Sequence, residues 1–219
     1  KEFGFSGWVG PEPHGAPLAN SGFIRDKLIA KRIVAWLEDR YSRRKSGEEK
    51  AMRPFLLVAS FVNPHDIVLF PGWRRQENNP IEKNNLDPPL VPEPPTRHED
   101  LSSKPASQIA YKNAYFSGYG PYRRVKSIYE RNEQAYRDLY YRLHLEVDGP
   151  IDSVRKTVKE NDSNETIIFR TSDHGDLLGA HGGLHQKWFS LYDEATRVPF
   201  QIVKTGNQPT SSKIISNIP

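Results

Sequence analysis

Apolar residues recur along this chain in distinct rhythms, and each rhythm predicts a different element. Leu28, Ile29, Ile33, Val34, Leu37 and Tyr41 return every three or four positions, the spacing of one helix face running to about Arg44. Asp26 stands ahead of them as the expected N-cap. A charged turn at 43–50 leads into Pro54–Val62, an almost unbroken apolar run that predicts a strand buried on both faces. From Pro64 to about Tyr122 the texture changes. Pro71, Pro80, Pro88, Pro89, Pro92, Pro94, Pro95 and Pro105 are expected to prevent regular structure across much of it. Helical spacing resumes in Ile128, Ala135, Leu139, Leu143 and Val147. Gly149-Pro150 is expected to interrupt that helix, with Asp148 capping a second one that carries Ile151, Val154 and Val158. A turn at 161–164 then enters a short strand, Ile167-Ile168-Phe169, and Val198–Val203 reads as the next strand. Helical and strand patterns in alternation define an α/β class.

The strand at 167–169 ends in Ser172-Asp173-His174-Gly175, so a carboxylate and an imidazole stand where a buried strand stops. In open α/β sheets the binding crevice lies outside the carboxyl ends of the strands. Gly179, Gly182 and Gly183 let backbone bend close to a ligand, and Lys187 follows them. A metal-binding pair followed by a cation is equipment for holding an anionic ester. Hydrolysis or transfer at a sulfate or phosphate group is therefore the leading chemistry. The four residues alone are better explained as a turn carboxylate beside a surface histidine; the run as a whole shifts the balance.

That run, Thr166–Pro199, resembles the sulfatase family of the alkaline phosphatase superfamily, whose pattern is S-D-H-G-[DE]-x-L-G-x-H-G, a lysine, an aromatic and acidic pair, then R-V-P. Asp173, His174, Gly175, Gly179, His181, Gly182, Lys187, Tyr192, Glu194, Arg197, Val198 and Pro199 fall into register with it. Upstream, Phe61-Val62-Asn63-Pro64-His65-Asp66 resembles the family's S-F-x-x-P-H-[DT] strand end. The opening Gly7-Trp8-Val9-Gly10-Pro11-Glu12-Pro13-His14-Gly15 is similar to a segment of some arylsulfatases and phosphonate monoester hydrolases.

The resemblance implies an alkaline phosphatase-like central β-sheet flanked by helices, of which residues 1–219 form an internal, partial domain. The excursion at about 66–122 is the variable part, as readily a surface wrapping as a substrate-selecting lid. Asp173 and His174 match metal positions, and His174 also matches a group that meets the ester oxygens. An oxygen-only set suits calcium, the first expectation; an imidazole brings manganese or zinc into play. Lys187 matches a lysine that binds the ester oxygens, and His65 a histidine that contacts the sulfate or protonates the leaving group. The family's nucleophile is a formylglycine made from C-x-P-S-R or S-x-P-x-R, and neither motif occurs here. It is expected outside this segment, which alone would be inactive. His181 and His185 are spaced as a helical zinc clamp would be, but the surrounding glycines argue for a supporting role for His181. Arg197 is expected to hold Glu194 or Asp193.

Composition narrows this little. The chain has 219 residues and no cysteine, which excludes disulfides and thiolate metal sites. No run is apolar enough for a membrane span, and no secretory segment is visible at Lys1-Glu2-Phe3-Gly4-Phe5. The net charge of +4 fits a mixed solvated surface. Arg40, Arg43, Arg44, Lys45, Arg123 and Arg124 interleave with Glu38, Asp39 and Glu130, so no nucleic-acid partner is expected. The expected substrate is a small-molecule or carbohydrate sulfate ester. A phosphonate or phosphodiester hydrolase of the same superfamily and a non-catalytic anion-binding module stand as alternatives. Compartment and oligomeric state are not readable.

Overall fold

The computed structural model describes residues 17–75, 90–115, 125–162, 166–187 and 189–205. Its longer elements, in chain order, are α1 (Gly22–Lys45), α2 (Ala106–Tyr115), α3 (Val125–Arg131), α4 (Glu133–Asn161), β1 (Ile167–Thr171) and β2 (Phe200–Lys204), with short helical turns between them. The chain divides into two compact units: Lys1–Asp66 with Leu143–Asp162, and Ile67–Arg142 with Ser163–Pro219. The opening segment Gly7–Gly15 lies outside the described residues.

In the first unit α1 buries Phe23, Ala30, Leu37 and Tyr41; of the predicted face only Leu37 and Tyr41 are buried, Ile29, Ile33 and Val34 are half-buried, and Leu28 is exposed. Its start differs from expectation. Ser21 is the N-cap residue, with its hydroxyl turned back to the Leu18 carbonyl at 2.6 Å, and Asp26 lies a turn inside the helix. The Asp26 carboxylate is engaged elsewhere: it accepts the N–H groups of Val62 at 2.7 Å and Asn63 at 3.0 Å. Those backbone donors need an acceptor, and that demand outranks capping.

The strand expected at Pro54–Val62 is a second correction. The segment is extended but unpaired, with Leu56 77% and Val58 64% exposed. A strand is held by its ladder, and no described strand lies beside this one. Its beginning is anchored by rings instead: Phe55 meets Trp36 edge-on at 5.2 Å, and the Arg40 guanidinium lies 4.7 Å from the Phe55 ring.

α4 is continuous through Pro150, where an interruption was expected. Proline costs a helix interior roughly 3 kcal/mol. Burial of Val147 and Val158 on either side holds the helix across it. The break falls earlier, at Asn132 between α3 and α4, where the Asn132 amide donates to the Ile128 carbonyl at 2.7 Å.

The core of the second unit is aromatic. Phe70, Tyr129, Tyr136 and His185 are buried together, with ring centroids 5.2 Å apart for Phe70–Tyr136, 5.0 Å for Tyr129–Tyr136 and 4.2 Å for Tyr129–His185. Leu177 and Leu184 form a second buried pair. β1 and β2 pair antiparallel from Ile167↔Lys204 to Thr171↔Phe200. Both strands match expectation in place, but β1 is not buried: Ile167 is 52% and Phe169 61% exposed, because a two-stranded ladder leaves its faces uncovered. The fold is thus mixed and helix-rich, with one small sheet among the described residues. Among its described residues the proline-rich stretch is more regular than its composition predicts: α2 forms directly after Pro105, whose carbonyl accepts the Gln108 N–H at 2.8 Å. Among the described residues no helix is long and apolar enough to cross a membrane.

Candidate active-site loop and turn

The loop after β1 carries Asp173, His174 and Lys187, all within the second unit. Asp173 projects outward, its side chain 83% exposed, and one carboxylate oxygen accepts the His174 N–H at 2.9 Å. His174 Nδ1 lies 2.9 Å from the Gly175 carbonyl. A carbonyl only accepts, so in this contact Nδ1–H is the donor. Nε2 stands 3.5 Å from the other Asp173 oxygen. Gly175 is required by close packing: its N–H donates to the Ala195 carbonyl at 2.9 Å, and a Cβ there would lie 2.0 Å from the Glu194 carbonyl oxygen.

Asp176 organises the remainder of the loop. One of its oxygens accepts the N–H groups of Leu178 at 2.9 Å and Gln186 at 3.1 Å; the other accepts the Tyr136 hydroxyl at 2.9 Å. Burial pushes its carboxyl up to about 6, against these hydrogen bonds and the nearby positive charge of Lys187. The loop is laced again by Leu177 N–H to the Gln186 carbonyl at 2.8 Å and Gly179 N–H to the Leu184 carbonyl at 2.7 Å. Burial, then the charges of Asp176 and Asp173, keep the Tyr140 hydroxyl well above the usual tyrosine range. His185 is stacked in the aromatic core and pushed down to about 3, chiefly by burial and then by the charge of Arg97.

The described half of the proline-rich excursion docks on this loop. Thr96 accepts the Gly182 N–H on its carbonyl at 3.1 Å and the His181 N–H on its hydroxyl at 3.2 Å. Arg97, in a two-pronged pair with Glu133 at 2.5 and 2.8 Å, lies against Gly183, where a Cβ would come within 3.1 Å of it. His181 is held between Glu99 at 2.7 Å and Glu194 at 3.1 Å, with Lys104 bracing Glu99 at 2.8 Å. His181 itself sits at φ 50 and Gly182 at φ 78, so His181 and His185 do not share a helix, as the surrounding glycines predict. Glu194 is thereby occupied, and the expected Arg197–Glu194 and Arg197–Asp193 pairs do not form among the described residues. An open cleft of about 310 Å³ is lined by His181, Leu191, Tyr192, Asp193 and Glu194. Its acidic lining suits no anion, and it excludes Asp173, His174 and Lys187.

His65 belongs to the first unit, half-buried in a turn where its N–H donates to the Val62 carbonyl at 3.0 Å. Two buried carboxylates hold that turn. Asp26 takes the Val62 and Asn63 amides, and Asp66 takes the Gly22 N–H at 2.6 Å. Burial drives both carboxyls upward, Asp66 to about 6, with repulsion from Asp26 adding to it. Sequence reasoning singled out His65 but not Asp66 as its support.

The structure brings Asp173 and His174 together and ties the residue before Lys187 into the same loop. Among the described residues no three His, Cys, Asp or Glu side chains form a complete metal cage. The Asp173 carboxylate and His174 imidazole have the hard-oxygen and nitrogen chemistry of part of a divalent site. Sequence reasoning missed Asp176, although it occupies the acidic position of the motif.

A strand end that presents a carboxylate, an imidazole and a lysine on one laced loop defines a candidate anion- and metal-binding site. The family model "Sulfatase" matches residues 2–218, and the chain belongs to the sulfatase family. It is 31% identical to Delta 4,5-hexuronate-2-O-sulfatase of Bacteroides thetaiotaomicron over 84% of this chain and 35% of that one. Choline-sulfatase of Rhizobium meliloti is 26% identical over 80% of this chain and 32% of its own length. Iduronate 2-sulfatase of Mus musculus is 29% identical over 84% and 31%. The chain thus spans about a third of the length of these curated relatives.

Proposed function

We propose that this chain supplies the metal- and sulfate-binding part of a sulfuric ester hydrolase, within a central sheet of the alkaline phosphatase type. The observation that carries the reading is the approach of the Asp173 carboxylate to His174 Nε2 at 3.5 Å, with the imidazole oriented by the Gly175 carbonyl. Asp173 and His174 would hold a divalent ion, calcium first and manganese or zinc as alternatives, which when bound neutralises and polarises the anion. Lys187 binds the ester oxygens as a compact positive charge. His65 donates the proton to the departing alcohol, an assignment supported by its Asn-Pro-His-Asp turn. The formylglycine nucleophile comes from residues outside these 219.

The substrate class is a carbohydrate sulfate, with 2-O-sulfated uronates favoured because two relatives carry such substrates in their names. The full-length protein, supplied with divalent metal, is expected to release sulfate from an unsaturated 2-O-sulfated uronate disaccharide, read by ion chromatography. A phosphonate monoester turned over faster than every sulfate ester tried would replace this reading with its superfamily alternative, which the His174 imidazole suits equally.

A further inference from the structure

The residues assigned to chemistry lie at the two ends of one loop. Asp173 and His174 precede it and Lys187 follows it. Between them runs a glycine-containing stretch whose backbone leaves ordinary regions at Leu178 (φ 48), Gly179 (φ 94), His181 (φ 50), Gly182 (φ 78), Gly183 (φ 94) and Gln186 (φ 62). A chain so often in left-handed conformations does not set a fixed end-to-end distance by its own propensity. Backbone bonds such as Leu177 N–H to the Gln186 carbonyl hold part of it, and one buried side chain reaches both ends.

We infer that Asp176 is the positioning residue of the anion site, its carboxylate stapling both ends of the loop so that Lys187 keeps one spacing from Asp173 and His174. One oxygen receives the N–H of Leu178 at the loop's entry and of Gln186 at its exit, 2.9 and 3.1 Å away. The other receives the Tyr136 hydroxyl at 2.9 Å, which fixes the staple to α4. Gln186 is the residue next to Lys187, and Asp176 lies two positions after His174. The staple touches neither metal nor ester, so its influence is exerted through the groups it spaces. This deepens the sulfatase reading and rests on it.

The test uses the full-length protein with Asp176→Ala and Asp176→Asn, scored per correctly folded molecule. Asparagine keeps an oxygen for the two N–H groups and an amide for the tyrosine oxygen, whereas alanine removes the staple. Asp176→Ala is expected to weaken inhibition by inorganic sulfate and to lower kcat, each by about 10- to 100-fold, the range for residues that orient site ligands. Asp176→Asn is expected to restore both to within roughly threefold of wild type on the same scale. Sulfate inhibition and kcat unchanged in the alanine variant, or asparagine no better than alanine, would overturn the positioning role. A wild-type protein that neither cleaves nor binds any sulfate ester would sink the sulfatase reading and this proposal together, so the two failures are distinguishable. If the alanine variant does not fold, hydrogen exchange on the wild type decides. The Leu178 and Gln186 amides must be strongly protected without ligand, and fast exchange at either one refutes the staple.

Discussion

Two stretches carry the candidate chemistry, the Asn63–Asp66 turn of the first unit and the Asp173–Lys187 loop of the second, and both hang from buried carboxylates that accept backbone N–H groups. They differ in how completely those carboxylates are used. Both oxygens of Asp176 are bonded, to two amides and a tyrosine hydroxyl. In the first unit Asp66 has one buried oxygen, and Asn63 both side-chain polar atoms, without a hydrogen-bond partner among the described residues. The charge of Asp26 also adds to the electrostatic cost of Asp66. A saturated network rigidifies what it carries; a half-satisfied one leaves it easier to open. The loop is built to hold a geometry, and the turn to present one residue.

The sharpest way to break that comparison is kinetic. Lys187→Ala in the full-length protein is expected to lower kcat/KM by about 10²- to 10³-fold, as removing a charge-stabilising group does. The loss should be the same for aryl and alkyl sulfate esters, since the lysine acts on the anion common to both. His65→Ala should distinguish them: about 10²-fold for an alkyl ester and under about tenfold for 4-nitrophenyl sulfate, whose good leaving group needs no proton. Equal losses for both esters with His65→Ala would remove its proton-donor role.

Stability gives the next largest contrast. Asp176→Ala strands two amides and a hydroxyl and is expected to cost local stability of about 2–4 kcal/mol. Asp66→Ala strands only the Gly22 amide while relieving repulsion with Asp26, so its cost should be about 1 kcal/mol or less. Native-state hydrogen exchange at residues 177–186 and 62–66 reads both values. A larger cost at Asp66 would mean that the unsatisfied turn is the more tightly held of the two.

The range of each interaction decides how much of the molecule is legible in its sequence. α1 shows in the spacing of Leu37 and Tyr41, because helical burial is a local pattern. Its start lies a turn before the expected cap because Asp26 satisfies amides 36 and 37 residues away, which no local rule registers. Pro54–Val62 has strand composition without a described ladder partner, and composition reports a wish for burial rather than its fulfilment. Pro150 breaks nothing, since propensity yields to apolar burial on both sides. At the site, Asp173, His174, Lys187 and His65 can be named from motif residues alone. Thr96, Arg97 and Glu99 cannot: they reach the loop across more than 80 residues, and their role exists only once the excursion folds back.

The smallest effect separates the two regions by pH. Asp66, raised to about 6 by burial, binds its proton more tightly folded than unfolded, where a carboxyl titrates near 3.9. Its contribution is therefore fully present below about 4 and lost as pH climbs through 6. Asp26 is raised as well and acts in the same direction. In the second unit Asp176 shares that sign, but His185, lowered to about 3, has the opposite one. Its unfolded form gains a proton below about 6.5, so its contribution falls as pH drops. The two terms oppose each other across pH 4–6 in the loop and have no such opposition in the turn. Protection factors, corrected for intrinsic exchange, should decline from pH 4 to 6 at residues 62–66 and stay nearly flat at 177–186. Asp66→Asn should make the first profile shallower, leaving the part that Asp26 contributes, and leave the second alone. A parallel decline in both would show that His185 does not offset Asp176, and that the loop is as exposed to acid–base cost as the turn.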